Sequence, residues 1–155
     1  MNKRLLTLCV PVVVATLVAG CGGDDPMDTE PPADAGPPNL SGTYNLVSLS
    51  GAITGGITFA PPVAVGTFTL SQDATFEGSA TGTLTLSITV TNPLDGSVIQ
   101  TIEDQGTFTV RTDGSWEQTG EMAQNIGTYS LAGNVLTVTV TEPAPNVSTT
   151  VWQRQ

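Results

Sequence analysis

The sequence contains no histidine, and only 4 basic residues stand against 14 acidic ones in its 155 positions. Two of those bases, Lys3 and Arg4, precede an apolar run at the extreme N-terminus, which also holds Cys9, one of 2 cysteines. Basic residues followed by an apolar run of this length read as an export signal rather than as part of a fold. With residues 1–20 removed, Arg111 and Arg154 face all 14 acids, and 2 minus 14 leaves a formal charge of −12. A chain without histidine, without lysine after Lys3 and with a single remaining cysteine lacks the groups for triad hydrolysis, Schiff-base chemistry, thiol chemistry or a zinc site built on His or Cys. Phosphate backbones and anionic headgroups repel so acidic a surface, which excludes nucleic acid as a partner and a basic patch as a membrane dock.

The N-terminal run, residues 5–18, is broken by Pro11 and Thr16 and is too short to span a bilayer. It ends in Leu17-Val18-Ala19-Gly20-Cys21, which resembles the lipobox of bacterial lipoproteins. That resemblance implies removal of residues 1–20 and transfer of diacylglycerol to the Cys21 thiol. Two or three acyl chains anchor a protein durably where one holds it only reversibly. Gly22, not Asp, follows the cysteine, so the expected address is the outer membrane of a bacterial envelope. Residues 22–39 contain five prolines, five acids and no aromatic residue, and such a segment buries too little apolar surface to fold. It reads as a tether, and at about 3.1 Å per residue in polyproline II it spans roughly 50 Å.

From residue 40 onward the longest stretch free of Gly and Pro is 11 residues, 67–77, and it alternates in the manner of a strand. Residues 83–91 alternate strictly, with Leu84, Leu86, Ile88 and Val90 on one face and hydroxyl side chains on the other. Residues 135–141 repeat this pattern in a threonine-rich, β-branched segment suited to a half-buried pleat. Turn chemistry at Gln72-Asp73-Ala74, Pro93-Leu94-Asp95-Gly96, Asp113-Gly114 and Gly133-Asn134 divides the chain into ten short segments, 98–103 and 107–111 being separate ones, some of which merge into about eight or nine strands. The expected architecture is all-β: one antiparallel up-and-down barrel over residues 40–155, without a packed helix, closed by pairing residues 148–152 on 43–49. Gly-Thr-aromatic recurs at residues 42–44, 66–68, 106–108 and 127–129, at spacings that fit the start of a twisted strand better than a repeat.

Residues 40–48, Thr112-Asp113-Gly114-Ser115-Trp116 and Gly127-Thr128-Tyr129 leading to Gly133-Asn134-Val135 resemble the lipocalin-like domains of bacterial lipoproteins. The resemblance implies a calycin-type barrel. It further implies that Arg154, on the last strand, lies over Tyr44 of the first as a cation-π pair, and that the loop after the first strand folds over the barrel mouth. That loop contains Ile53, Ile57 and Phe59 among strand-breaking residues. Either these three form a lid over a cavity or they plug a core already filled by side chains, since eight strands suffice for either.

Carboxylates and two tyrosines are the only groups left for acid-base work. If Phe76 and Trp116 face inward, alternation turns Glu77, Glu117 and Glu121 to solvent. Asp73, Asp95 and Asp113 fall in turns, where Asp bonds its own backbone, and a weak calcium site requires such turns to meet on one rim. The expected function is that of a non-catalytic, cofactor-free, metal-free lipoprotein module. It is held in the bilayer by Cys21 and binds a small apolar ligand or a lipid through Ile53, Ile57 and Phe59. The alternative is an envelope protein whose acidic surface docks a cationic protein, in the manner of a lysozyme inhibitor.

Overall fold

The computed structural model describes residues 36–155; the export signal, Cys21 and most of the expected tether lie outside the described residues. Eight strands run β1 (Gly42–Gly51), β2 (Ala64–Phe76), β3 (Ser79–Thr91), β4 (Val98–Arg111), β5 (Ser115–Gly120), β6 (Gln124–Ala132), β7 (Val135–Glu142) and β8 (Ser148–Arg154). Each is hydrogen-bonded to the next, and the sheet closes on itself as a barrel. All eight pairings are antiparallel, including the closing one, in which Tyr44 faces Arg154 and Gly51 faces Ser148. Closure pairs both edges of the sheet, which removes the exposed edge strands an open meander would carry. The only helical elements described are two 3-10 turns, Ala52–Thr54 and Ala144–Asn146.

Alternation sets the inside of the barrel. On β3 Leu84, Ile88 and Val90 are buried while Thr83 and Thr85 are exposed. All four Gly-Thr-aromatic triplets place the aromatic inside, at Tyr44, Phe68, Phe108 and Tyr129. In β2 and β4 the triplet lies in the middle of the strand, so it marks an inward register rather than a strand start.

Two segmentations differ from the sequence reading. Gln72-Asp73-Ala74 is not a turn: β2 runs through it with a shift of register between Gln72 and Ala74, and one residue is left over as a bulge. The turn comes at Glu77-Gly78, where Gly78 has φ +70, a conformation that glycine adopts without a Cβ penalty. As a result Phe76, expected inside, sits at the hairpin tip and is exposed. Segments 98–103 and 107–111 are one strand of 14 residues, because Glu103-Asp104-Gln105 continues the ladder to β3 without interruption.

The topology gives the barrel two unlike ends. One carries the chain's entry at residues 36–41, the turns after β2, β4 and β6, and the C-terminus. Here Pro37 and Leu40 are buried, Leu40 N–H donates to Gln72 Oε1 at 3.0 Å, and Tyr44 OH donates to the Leu40 carbonyl at 2.8 Å. Arg154 lies 5.1 Å from the Tyr44 ring centroid. Its Nε and Nη2 donate to Tyr44 OH, at 3.0 and 2.5 Å, and Nη2 donates to the Asn39 carbonyl at 3.0 Å. This is the Tyr44 and Arg154 juxtaposition that the resemblance implied. The other end carries the segment between β1 and β2 and the turns after β3, β5 and β7.

Candidate ligand-binding site

A layer of aromatic rings crosses the barrel and divides filled from open space. Phe108 stacks on Trp116 at 5.3 Å and 3°, Phe68 meets Trp116 edge-on at 6.1 Å, and Phe68 packs on Trp152 at 5.1 Å. Such offset and edge-on contacts lock ring positions beyond their area burial. Trp116 is fully buried, as alternation required, and its indole N–H has no hydrogen-bond partner. Trp152 donates its N–H to Thr150 Oγ1 at 2.8 Å.

Above this floor the barrel encloses a cavity of about 260 Å³. Leu49, Leu86, Ile88, Ile102, Val138 and Val140 form its apolar wall, over Phe68 and Trp152. The polar wall consists of Gln100, Asp104, Gln118, Asn125, Asn146 and Thr150. Asn146 Nδ2 donates to Asn125 Oδ1 at 3.1 Å, tying the turn after β7 to β6. The cavity opens at the end opposite to the chain's entry. That rim is studded with exposed apolar side chains from all four connections, Ile57, Leu94, Val98, Met122 and Val147.

Asp104 and Gln118 are the two buried charged or amide side chains of the barrel interior. Gln118 Nε2 donates to Asp104 Oδ2 at 2.8 Å, and the Met122 backbone N–H donates to Oδ1 at 3.0 Å. The local cause is the shortness of β5. Its ladder with β4 ends at the pair Gly106 and Gly120, and a Cβ on Gly120 would collide with the Asp104 carboxylate. Glycine at this position is what lets the carboxylate lie across the strand end and reach the following turn.

The loop residues named from the sequence are placed differently. Phe59 forms a bridge with Leu49 through paired backbone hydrogen bonds of 2.8 Å and packs, partly buried, against the core. Ile57 is 61% exposed, and the Ile53 side chain lies outside what is described. Neither Ile57 nor Phe59 is among the residues lining the cavity. The loop is organised by Thr54, buried and unremarked in the sequence, whose hydroxyl lies within hydrogen-bond reach of Gly51 N–H and the Ile57 carbonyl. Asp104 and Gln118 were legible in principle. Alternation from Phe108 and from Trp116 places both inside, but a break read at residues 104–106 takes the first out of that pattern, and the second is an amide rather than an acid.

The remaining carboxylates face solvent. Glu117 pairs with Arg111 at 2.6 Å, which raises the Arg111 pKa, and Gln105 Nε2 donates to Glu121 at 2.7 Å. Asp95 accepts from the Ser97 hydroxyl and backbone N–H at 2.6 and 2.9 Å, and both bonds lower its pKa. Asp113 is lowered likewise, chiefly by the Ser115 backbone N–H. Burial raises Tyr129. Asp95 sits at the open end, and Asp73 and Asp113 lie toward the other, so these three carboxylates do not meet; no group of three or more potential metal ligands occurs among the described residues. The chain matches no protein-family model, no curated protein and no solved structure.

Proposed function

We propose that this chain is a lipid-anchored, non-catalytic, lipocalin-like lipoprotein of the bacterial outer membrane whose barrel mouth binds one small, mainly apolar ligand. The observation that carries the reading is the cavity of about 260 Å³ above the aromatic floor, open at one end. Ligand pockets are usually concave, mainly apolar and set with a few polar groups, and eight-stranded barrels have room for one small ligand at the mouth. At about 30 Å³ per water-sized group, the space takes roughly nine non-hydrogen atoms. The lining supplies a single ionisable side chain, Asp104, with no second group placed to exchange a proton with it, and this supports binding rather than conversion. The first described residues, 36–41, lie at the end opposite to the mouth.

Native mass spectrometry of the protein released from its own membranes tests the reading. A small molecule retained on the folded protein and lost on unfolding is expected. A bare polypeptide mass, together with no uptake of short alkyl probes, would refute it.

A second reading rests on the outer surface. Of eight exposed carboxylates in the described residues only Glu117 has an ion-pair partner, which leaves seven unpaired. Such a surface suits docking of a cationic envelope or host protein. Exposed charges are screened within about 10 Å at 0.1 M salt, so that association would weaken steeply with ionic strength, whereas uptake into the cavity would not.

A further inference from the structure

One of the groups in the polar wall of the cavity is a carboxylate. Asp104 is only 7% exposed and lines the cavity beside Gln118. Its two hydrogen bonds within the protein come from neutral donors, one to each oxygen. A carboxylate has about four lone-pair sites, so each oxygen keeps acceptor capacity. The two cations of the described residues are engaged at the far end, Arg111 with Glu117 and Arg154 with Tyr44 and Asn39. Buried carboxylates ordinarily have a cationic partner or coordinate a metal, because an ionised group without either is strongly disfavoured away from water. Among the described residues no cationic side chain stands beside Asp104, and no group of three potential metal ligands includes it.

The geometry points to a ligand that supplies the cation: we infer that the cavity takes a cationic amphiphile of roughly nine non-hydrogen atoms, an alkyl- or aralkylammonium. Its ammonium group donates to Asp104, and its apolar body lies along Leu86, Ile88 and Val138 onto the Phe68 and Trp152 floor. Gln118 and the Met122 N–H position the carboxylate, and the neutral apolar wall opposite leaves nothing to compete for the cation. This assignment rests on the ligand-binding reading above and adds the chemical class.

The test compares three probes of one chain length, n-octylammonium, n-octanol and n-octanoate. Calorimetry would be performed on the chain starting at Gly22, which keeps the whole described barrel and lacks the lipidation site. Octylammonium is expected to bind at least about tenfold tighter than octanol, as a hydrogen bond to a charged group outweighs a neutral one, with octanoate weakest. Asp104→Asn should remove that preference, bringing octylammonium to within about twofold of octanol on the same variant, and an unchanged far-ultraviolet circular dichroism spectrum shows that the variant has folded. Because a buried pair is screened less than an exposed one, the wild-type preference should survive high salt, a comparison that needs no variant. Equal binding of octanol and octylammonium would overturn the role of Asp104 and leave the cavity reading intact. A preference that persists in Asp104→Asn or disappears with salt would overturn it in favour of adsorption to the acidic exterior. Binding of none of the three would overturn the cavity reading and this proposal together.

Discussion

Arg154 ties the last strand to the first and to the entering chain, through Tyr44 OH, the Tyr44 ring face and the Asn39 carbonyl. Arg154→Ala should therefore lower stability by about 1–3 kcal/mol, measured by urea unfolding, without altering ligand uptake at the opposite end. Phe59 carries a different expectation from the one a lid would give. It packs partly buried beside Leu49 and does not line the cavity. Phe59→Ala should accordingly destabilise by about 1–3 kcal/mol, less than a fully buried Phe, and change probe affinity little. A large loss of affinity at unchanged stability would restore the lid. The strand-breaking apolar loop picked out of the sequence lies at the end where the cavity opens, and its Ile57 and Phe59 lie outside the cavity lining. An apolar residue in a loop is visible as unusual, whereas the inward phase of Asp104 and Gln118 depends on strand continuity across residues 104–106. Tyr44 and Arg154, 110 positions apart in the chain, came only from family resemblance, since no local pattern links them.

At the level of elements, turn chemistry was legible wherever Gly stands beside Asp or Asn, and misleading where Asp stands without Gly. Asp95-Gly96, Asp113-Gly114 and Gly133-Asn134 all connect strands, while Gln72-Asp73-Ala74 has no residue suited to positive φ and became a bulge. Gly78 supplies that conformation four residues later, and Gly78→Ala should cost about 1 kcal/mol in denaturant without changing the fold. Gly120→Ala should cost more, because the new methyl group displaces the Asp104 carboxylate rather than straining a solvent-exposed turn. The turns also predict a response to acid. Asp95 and Asp113 are held below the ordinary 3.8 by bonds to Ser97 and Ser115, so their folded pKa values lie under their unfolded ones. A depressed carboxylate supports the native state above the unfolded value, and this support fades as pH falls through the folded value. Carboxyl carbon-13 NMR should show both titrating below 3.8; midpoints at or above it would mean that these turn bonds do not hold in solution.

At the level of the whole molecule, four of the eight aromatic residues form one layer across the barrel, and what lies above that layer stays open. Fold class and closure followed from alternation and from the need to pair both sheet edges. The size and polarity of the cavity did not, because they depend on which inward residues share a height in the barrel, and register is fixed only once bulges and strand ends are placed. The N-terminal reading has its own check. Cys21→Ser should move the protein from the detergent-rich to the aqueous phase in membrane partitioning if acyl chains on Cys21 supply the anchor, and unchanged partitioning would refute lipidation. The central claim is that the barrel mouth takes up a small ligand, and the most direct measurement is intermolecular NOE spectroscopy of the isotope-labelled barrel with n-octylammonium. The account predicts contacts from the alkyl chain to Ile88, Val138 and the Trp152 ring; contacts confined to the outer surface, or none at all, would contradict it.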